Sequence, residues 1–217
     1  PVVVMSETCE LRVYYDDNDY DIAYVDSYGS IDKVDLAVLS LRDATSKRVA
    51  LPIKEPDESM VGEKVYSVGF PGNADNDFTG ASHYGVRDCS MHDGSISKFV
   101  VSAGTGVQRI DTNTPIHHGN SGGPLVDENG YVIGVCTNVE SNSPYANQIE
   151  ANYYAIDGRE LTKFLDKNNI TVFIFSIAAF AFGPTTSLSA ANTTSFPNFS
   201  ESLFVNNFRI SIILLNF

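Results

Sequence analysis

The sequence predicts an all-β barrel fold that closes on one short helix, and two of its features carry that prediction. Short stretches of alternating apolar and polar residues, the period of a half-buried strand, are bounded by Gly, Pro, Asn and Asp, the residues of tight turns. Helical periodicity is scarce and becomes persuasive only from Asp157 onward. At 217 residues the chain is long enough to bury a full core.

In chain order, Asp16-Asp17-Asn18-Asp19 reads as a solvated hairpin turn. A calcium site is the minor alternative, because the run lacks EF-hand spacing. Val34 and the alternating Leu36, Val38 and Leu41 form a buried strand headed by Asp35. An aspartate commonly opens a strand after a turn, but a carboxylate at the head of a buried strand needs partners to offset its desolvation. Ser95-Ile96-Ser97-Lys98 matches S-x-x-K in form; without S-D-N or K-T-G companions it is a strand segment. Pro124-Leu125-Val126 is a further strand. The helix starts at Asp157, with Glu160 placed three residues on as in a capping box. It buries Leu161, Phe164 and Leu165 and ends near Asn168-Asn169.

Gly119-Asn120-Ser121-Gly122-Gly123-Pro124-Leu125 has the form of a serine nucleophile in a glycine-rich turn. A serine hydroxyl needs a base to take its proton and donors to hold the developing oxyanion. The glycines free the backbone to aim the N–H groups of Gly119 and Ser121 at one point. The same stretch also fits G-x-S-x-G, the nucleophile elbow of α/β-hydrolases. That motif needs a helix directly after the serine and a histidine later in the chain; here a proline and a strand follow, and no histidine lies beyond His118. A structural glycine–serine loop without chemistry is the third reading of the motif alone.

Further segments fall in a specific order around this motif. Asp35-Leu36-Ala37-Val38-Leu39 precedes Val61-Gly62-Glu63-Lys64-Val65-Tyr66-Ser67-Val68-Gly69-Phe70-Pro71, and Ile110-Asp111-Thr112-Asn113 leads into the serine loop. Gly130-Tyr131-Val132-Ile133-Gly134-Val135 and Tyr154-Ala155-Ile156 come after it. In content and order these resemble a chymotrypsin-like serine protease, and in detail the trypsin-like domain of the HtrA (DegP) proteases, over roughly residues 10 to 168. The resemblance implies a chymotrypsin-like double β-barrel with an incomplete first barrel, a protease domain over residues 1–169 and a separate tail over 170–217. It implies a serine endopeptidase that needs no cofactor or metal, acts on peptide or unfolded protein, and works in an extracytoplasmic setting. Ser121 would be the nucleophile, Asp35 the acid that orients the base, and Gly119 and Ser121 the oxyanion hole. Pro115 and Ile116 would lie at the base of the primary specificity pocket, His117 and His118 would edge it, and Gly134, Val135 and Cys136 would lie on the strand lining the substrate cleft.

One part of that pattern is absent. The family's histidine base lies about thirty residues before its aspartate, and residues 1 to 34 contain no histidine. Pro1-Val2-Val3-Val4-Met5 resembles the hydrophobic stretch that follows that histidine, so the expectation is a chain that begins just after it and is nearly inactive as it stands. The alternative is a pseudoprotease, a peptide- or protein-binding module that has lost its base. His117 and His118, on the serine loop itself, are not placed to bridge Ser121 and Asp35; they are read as loop or pocket-rim residues, with an unconventional base or metal ligand as the lesser reading. His83 and His92 are read as solvated residues of a polar loop region. At the base of the pocket the resemblance places Pro115 and Ile116, which offer no carboxylate to a Lys or Arg side chain. A small or medium apolar residue before the scissile bond is the expectation. Cys136 stands on the strand where glutamate-specific relatives carry a histidine, which speaks against that specificity.

Net charge is −13, from 27 acidic against 14 basic residues, which makes nucleic acid and anionic membranes poor partners. Cys9, Cys89 and Cys136 have no zinc spacing and, being odd in number, no complete disulfide framework. After Ile170 only Glu201 and Arg209 carry charge. The apolar run from Ile170 to Gly183 is shorter than the about 20 residues a membrane helix needs. The tail therefore reads as a disordered extension or as translated non-coding sequence before a degraded membrane anchor. Asn169, Asn192 and Asn198 head N-glycosylation triplets, informative only in a secreted eukaryotic protein.

Overall fold

A computed structural model describes residues 11–29, 33–43, 45–47, 50–70, 89–117, 119–137 and 152–170, and the backbone of 210–211. The chain runs β1 (Leu11–Asp16), β2 (Asp19–Tyr28), β3 (Ala37–Leu41), a 3-10 turn at Glu58–Met60, β4 (Lys64–Gly69), β5 (Ser90–Val101), β6 (Gln108–Thr112), β7 (Pro124–Asp127), β8 (Val132–Cys136), β9 (Tyr153–Asp157), α1 (Gly158–Lys167) and β10 (Ile210–Ser211). Six strands close a barrel in the order β4-β5-β6-β9-β8-β7, and the other four form an open sheet in the order β1-β2-β3-β10. One closed barrel beside one open sheet is the double-barrel architecture with its first barrel incomplete.

The open sheet begins at the predicted hairpin. Asp16 pairs with Asp19, so Asp17 and Asn18 alone make the turn, and the Asp17 N–H donates to Asp16 Oδ1 at 2.8 Å. Asp and Asn suit such a turn because their side chains can take up local backbone donors. One face of the sheet gathers Leu11, Val13, Ala23, Val25, Leu39 and Leu41 into a small core. β3 starts at Ala37, two residues later than the alternation of Val34 and Leu36 suggests, so Asp35 lies in the lead-in, where the Leu36 carbonyl accepts from Gly29 N–H at 2.7 Å. Ile210 and Ser211, from the segment read as a separate tail, pair with Ser40 and Leu39 on the far edge of β3.

Inside the barrel, Val65, Ile96, Ile110, Leu125, Ile133 and Ala155 come from six different strands and pack as one cluster. Alternation puts them there, since every second residue of a barrel strand faces inward. A second cluster joins Leu36 and Val38 to Val126, Val132, Val135 and Ile156 and to Leu161, Phe164 and Leu165 of α1. It holds the head of β3 and the helix against the barrel. α1 follows the sequence closely: the Asp157 carboxylate caps it, accepting from Arg159 N–H at 2.8 Å, and Leu161, Phe164 and Leu165 are buried. The box itself is not reciprocal, because Glu160 turns to Lys163 at 3.0 Å. At the other end Asn169 takes φ 57° and Ile170 N–H reaches back to the Leu165 carbonyl at 2.9 Å, a left-handed stop that asparagine tolerates. No described helix is long and apolar enough to cross a membrane.

Candidate active site

The loop from Asn113 to Gly123 joins β6 to β7 and is fixed at both ends by short hydrogen bonds. The Thr112 hydroxyl donates to the Ser95 carbonyl at 2.7 Å and accepts from Thr114 N–H at 3.1 Å, and the Ser67 hydroxyl donates to the Pro115 carbonyl at 2.8 Å. Within the turn Asn120 N–H donates to the His117 carbonyl at 3.0 Å and Gly123 N–H to the Asn120 carbonyl at 2.9 Å. β8 completes the clamp: Gly122 N–H meets the Cys136 carbonyl at 2.9 Å and Cys136 N–H meets the Gly123 carbonyl at 2.8 Å. The N–H groups of Gly119 and Ser121 find no acceptor among the described residues.

Glycine is required at several of these points. Gly119 and Gly122 have φ of 103° and 85°, in the left-handed region that side chains with a Cβ avoid. Gly123 meets a different limit, since a Cβ there would lie 2.1 Å from the Val68 carbonyl oxygen. Asn120, just before the serine, is fully buried, yet neither polar atom of its amide has a hydrogen-bond partner among the described residues. A buried amide left so would cost about 1–3 kcal/mol.

Asp35 is half-buried, and burial raises its carboxyl pKa above the ordinary value while the Arg109 charge works in the opposite sense. Its neighbour Val34 packs on the same cluster as Val68, the residue that Gly123 abuts, so one apolar body supports both the Asp35 and the Ser121 segments. The pocket residues divide into two groups. Ile116 and Cys136 are buried in the barrel core, where burial pushes the Cys136 thiol up to about 12. Gly134 and Val135 lie in the barrel wall, Val135 packing on the second cluster beside α1, with their strand paired to β7 on one side and β9 on the other. Pro115 is partly buried and His117 is exposed. His118 and His83 lie outside the described residues.

The sequence reading did not anticipate three neighbours. The Tyr153 ring meets His117 edge-on at 6.1 Å, and His117 meets His92 edge-on at 5.9 Å. His92, read as a solvated loop residue, instead lies on β5 with its Nε2 buried. Polar composition suggested a loop there, but β5 is a long strand in which Ser90 and His92 point inward while Met91 and Asp93 point outward. Asn120 is the third: nothing in residue type distinguishes a buried asparagine from one in a solvated turn.

With two β-modules and a pinned glycine–serine loop in place, the chain is a peptidase domain of the trypsin class. Residues 5–135 match the trypsin-like peptidase domain family, and the chain belongs to that family. It is 34% identical over 112 residues to the chloroplastic protease Do-like 1 of Arabidopsis thaliana, covering 50% of this chain and 23% of that protein. The chain thus spans about a quarter of the length of such relatives. The Rv3671c protease of M. tuberculosis in its active form superposes with a TM-score of 0.56 at 20% identity, covering 76% of this chain and 65% of that one. The HtrA-type protease AlgW with a decapeptide gives a TM-score of 0.50 at 24% identity, covering 70% and 42%. The likeness to these structures lies in the fold, and the curated homologues are serine proteases of the HtrA type.

Proposed function

We propose that this chain is the trypsin-like domain of a serine endopeptidase in which Ser121 forms the acyl-enzyme. The observation that carries this reading is the serine loop, clamped to β4 and β8 with the Gly119 and Ser121 amides left without acceptors among the described residues. In the mechanism the family uses, a histidine takes the Ser121 proton as the hydroxyl attacks the scissile carbonyl, and the Gly119 and Ser121 N–H groups hold the oxyanion. The base then protonates the leaving amine, water repeats the attack, and the acid product leaves. Asp35 is suited to orient that base, since its partly desolvated carboxylate gains from a cationic partner. Pro115 and Ile116, at the pocket base, favour a small or medium apolar side chain before the scissile bond, with His117 and His118 at the pocket rim and Gly134, Val135 and Cys136 backing the cleft. A peptide or unfolded protein as substrate and an extracytoplasmic setting belong to the same proposal.

A second reading is a peptide-binding module that keeps the cleft and the serine loop without catalysis. Labelling with a fluorophosphonate, mapped by mass spectrometry, separates the two. The chain alone should label at no more than the residual rate an oxyanion hole gives without a base. Preceded by the histidine-bearing strands of an HtrA-type relative, it should label rapidly at Ser121, and Ser121→Ala should abolish the signal. If the extended chain, folded, stays unlabelled, the protease reading fails and the binding module stands.

A further inference from the structure

The β1–β2 hairpin carries a surface that neither the barrel nor the serine loop uses. Residues 11–29 hold five tyrosines and five aspartates against one arginine. Alternation sends Leu11, Val13, Ala23 and Val25 to the inner face, so Tyr14, Tyr20 and Tyr24 turn outward. Tyr24 is 55% exposed, and Tyr28, at the end of β2, is 78% exposed. Tyr14 and Tyr20, directly opposite each other in the ladder, lie 5.2 Å apart.

The hairpin already seats cations from its own chain. The Arg12 guanidinium lies 4.4 Å over the Tyr20 ring. Lys47, from a separate loop, places Nζ 5.2 Å from the Tyr15 ring centre while donating to Asp19 Oδ1 at 2.5 Å. On the outward face a tyrosine ring thus holds a guanidinium, as Tyr20 holds Arg12, and at the turn a ring and a carboxylate together hold Lys47. Tyr24, Asp26 and Tyr28 repeat those residue types at the other end of β2, all exposed. Arg42, the neighbouring cation, is paired with Asp43 at 3.0 Å.

We propose that this face docks an extended polypeptide segment rich in arginine and lysine, with Tyr24, Asp26 and Tyr28 as contact residues. Charge complementarity selects the occupant: the chain carries −13 overall, and the hairpin is acidic in the same sense, which attracts a basic segment and repels an acidic one. Ring faces then hold the guanidinium and ammonium groups as Tyr20 holds Arg12. Extended segments fit best, because exposed rings spaced along a strand lie two residues apart or more and meet alternate side chains of a second extended chain.

The test is fluorescence polarisation of a labelled peptide of alternating Arg and Gly, titrated with the intact chain, with Glu–Gly and Ser–Gly peptides of equal length as controls. The Arg–Gly peptide should bind saturably and the controls should not. Tyr24→Ser with Tyr28→Ser should weaken binding about fivefold, and so should Asp26→Asn. Raising salt from about 50 mM to about 300 mM should weaken it further. Circular dichroism confirms that each variant folds, and Tyr24→Phe with Tyr28→Phe should retain binding because the ring faces remain. Equal binding of the Arg–Gly and Ser–Gly peptides, or an unchanged affinity in the folded variants, would overturn the proposal. Neither outcome bears on the chemistry of Ser121, so this inference and the protease reading fail independently.

Discussion

At Asp35 the chain gives up stability where the proposed mechanism needs charge. Burial raises the carboxyl pKa above its ordinary 3.8, with Arg109 opposing the shift. A raised folded-state value means the folded chain holds that proton more tightly than the unfolded chain does. The stability it contributes is full below the unfolded value and is lost as pH rises through the folded value. Asp35→Asn removes that loss. The variant should therefore gain on the parent as pH rises above 3.8 and hold a constant advantage at neutral pH, read as urea midpoints between about pH 3 and about pH 8. A difference that does not change with pH would show that Asp35 has a partner offsetting its burial. Asn120, on the other side of the site, is buried with no hydrogen-bond partner for its amide among the described residues. Residue type and order alone single out Ser121, Asp35 and the glycines as the candidate site. The burial of Asn120 and the edge contact of Tyr153 with His117 were not legible, because they follow from which strands become neighbours.

Elements differ in how far the sequence determines them. α1 was readable almost residue by residue, since its cap, its buried stripe and its asparagine stop are all local features. The role of Glu160 and the partner of the cap were missed. Asp157 is wholly buried and holds Arg159 through two contacts, at 2.9 and 2.7 Å, besides accepting its N–H. Asp157→Ala deletes the cap and leaves the Arg159 guanidinium without that partner. It should cost about 2 kcal/mol, the upper end for a cap, measured as a lower urea midpoint at unchanged slope. Asp157→Asn can still cap and should lose less. If both variants lose equally, the ion pair and not the cap is what matters. The hairpin turn at Asp17-Asn18 was equally local. β3 was misplaced by two residues because Val34 and Leu36 are packed for the cluster they join rather than for a ladder.

For the whole molecule, alternation identified strands but not their neighbours, and the barrel order β4-β5-β6-β9-β8-β7 is a matter of pairing that period two cannot specify. What the pairing produces is an unequal pair of modules. Every barrel strand has a ladder on both sides, whereas β1, among the described residues, is paired only to β2. The barrel interior is backed by a second cluster that includes α1 and the head of β3, while the inner face of the hairpin rests on the small cluster around Ala23, Leu39 and Leu41. Cooperative units are expected to follow these boundaries. In native-state hydrogen exchange, amides of β6, β8 and β9 should exchange only through global unfolding. Amides of β1 and β2 should open at a free energy lower by about 2 kcal/mol or more. Adding urea below the transition should merge the barrel amides onto one isotherm while the hairpin amides stay beneath it. A single isotherm for both would mean that the Leu36 and Val38 contacts couple the sheet to the barrel as one unit, and that Asp35, at their junction, is held as rigidly as the serine loop itself.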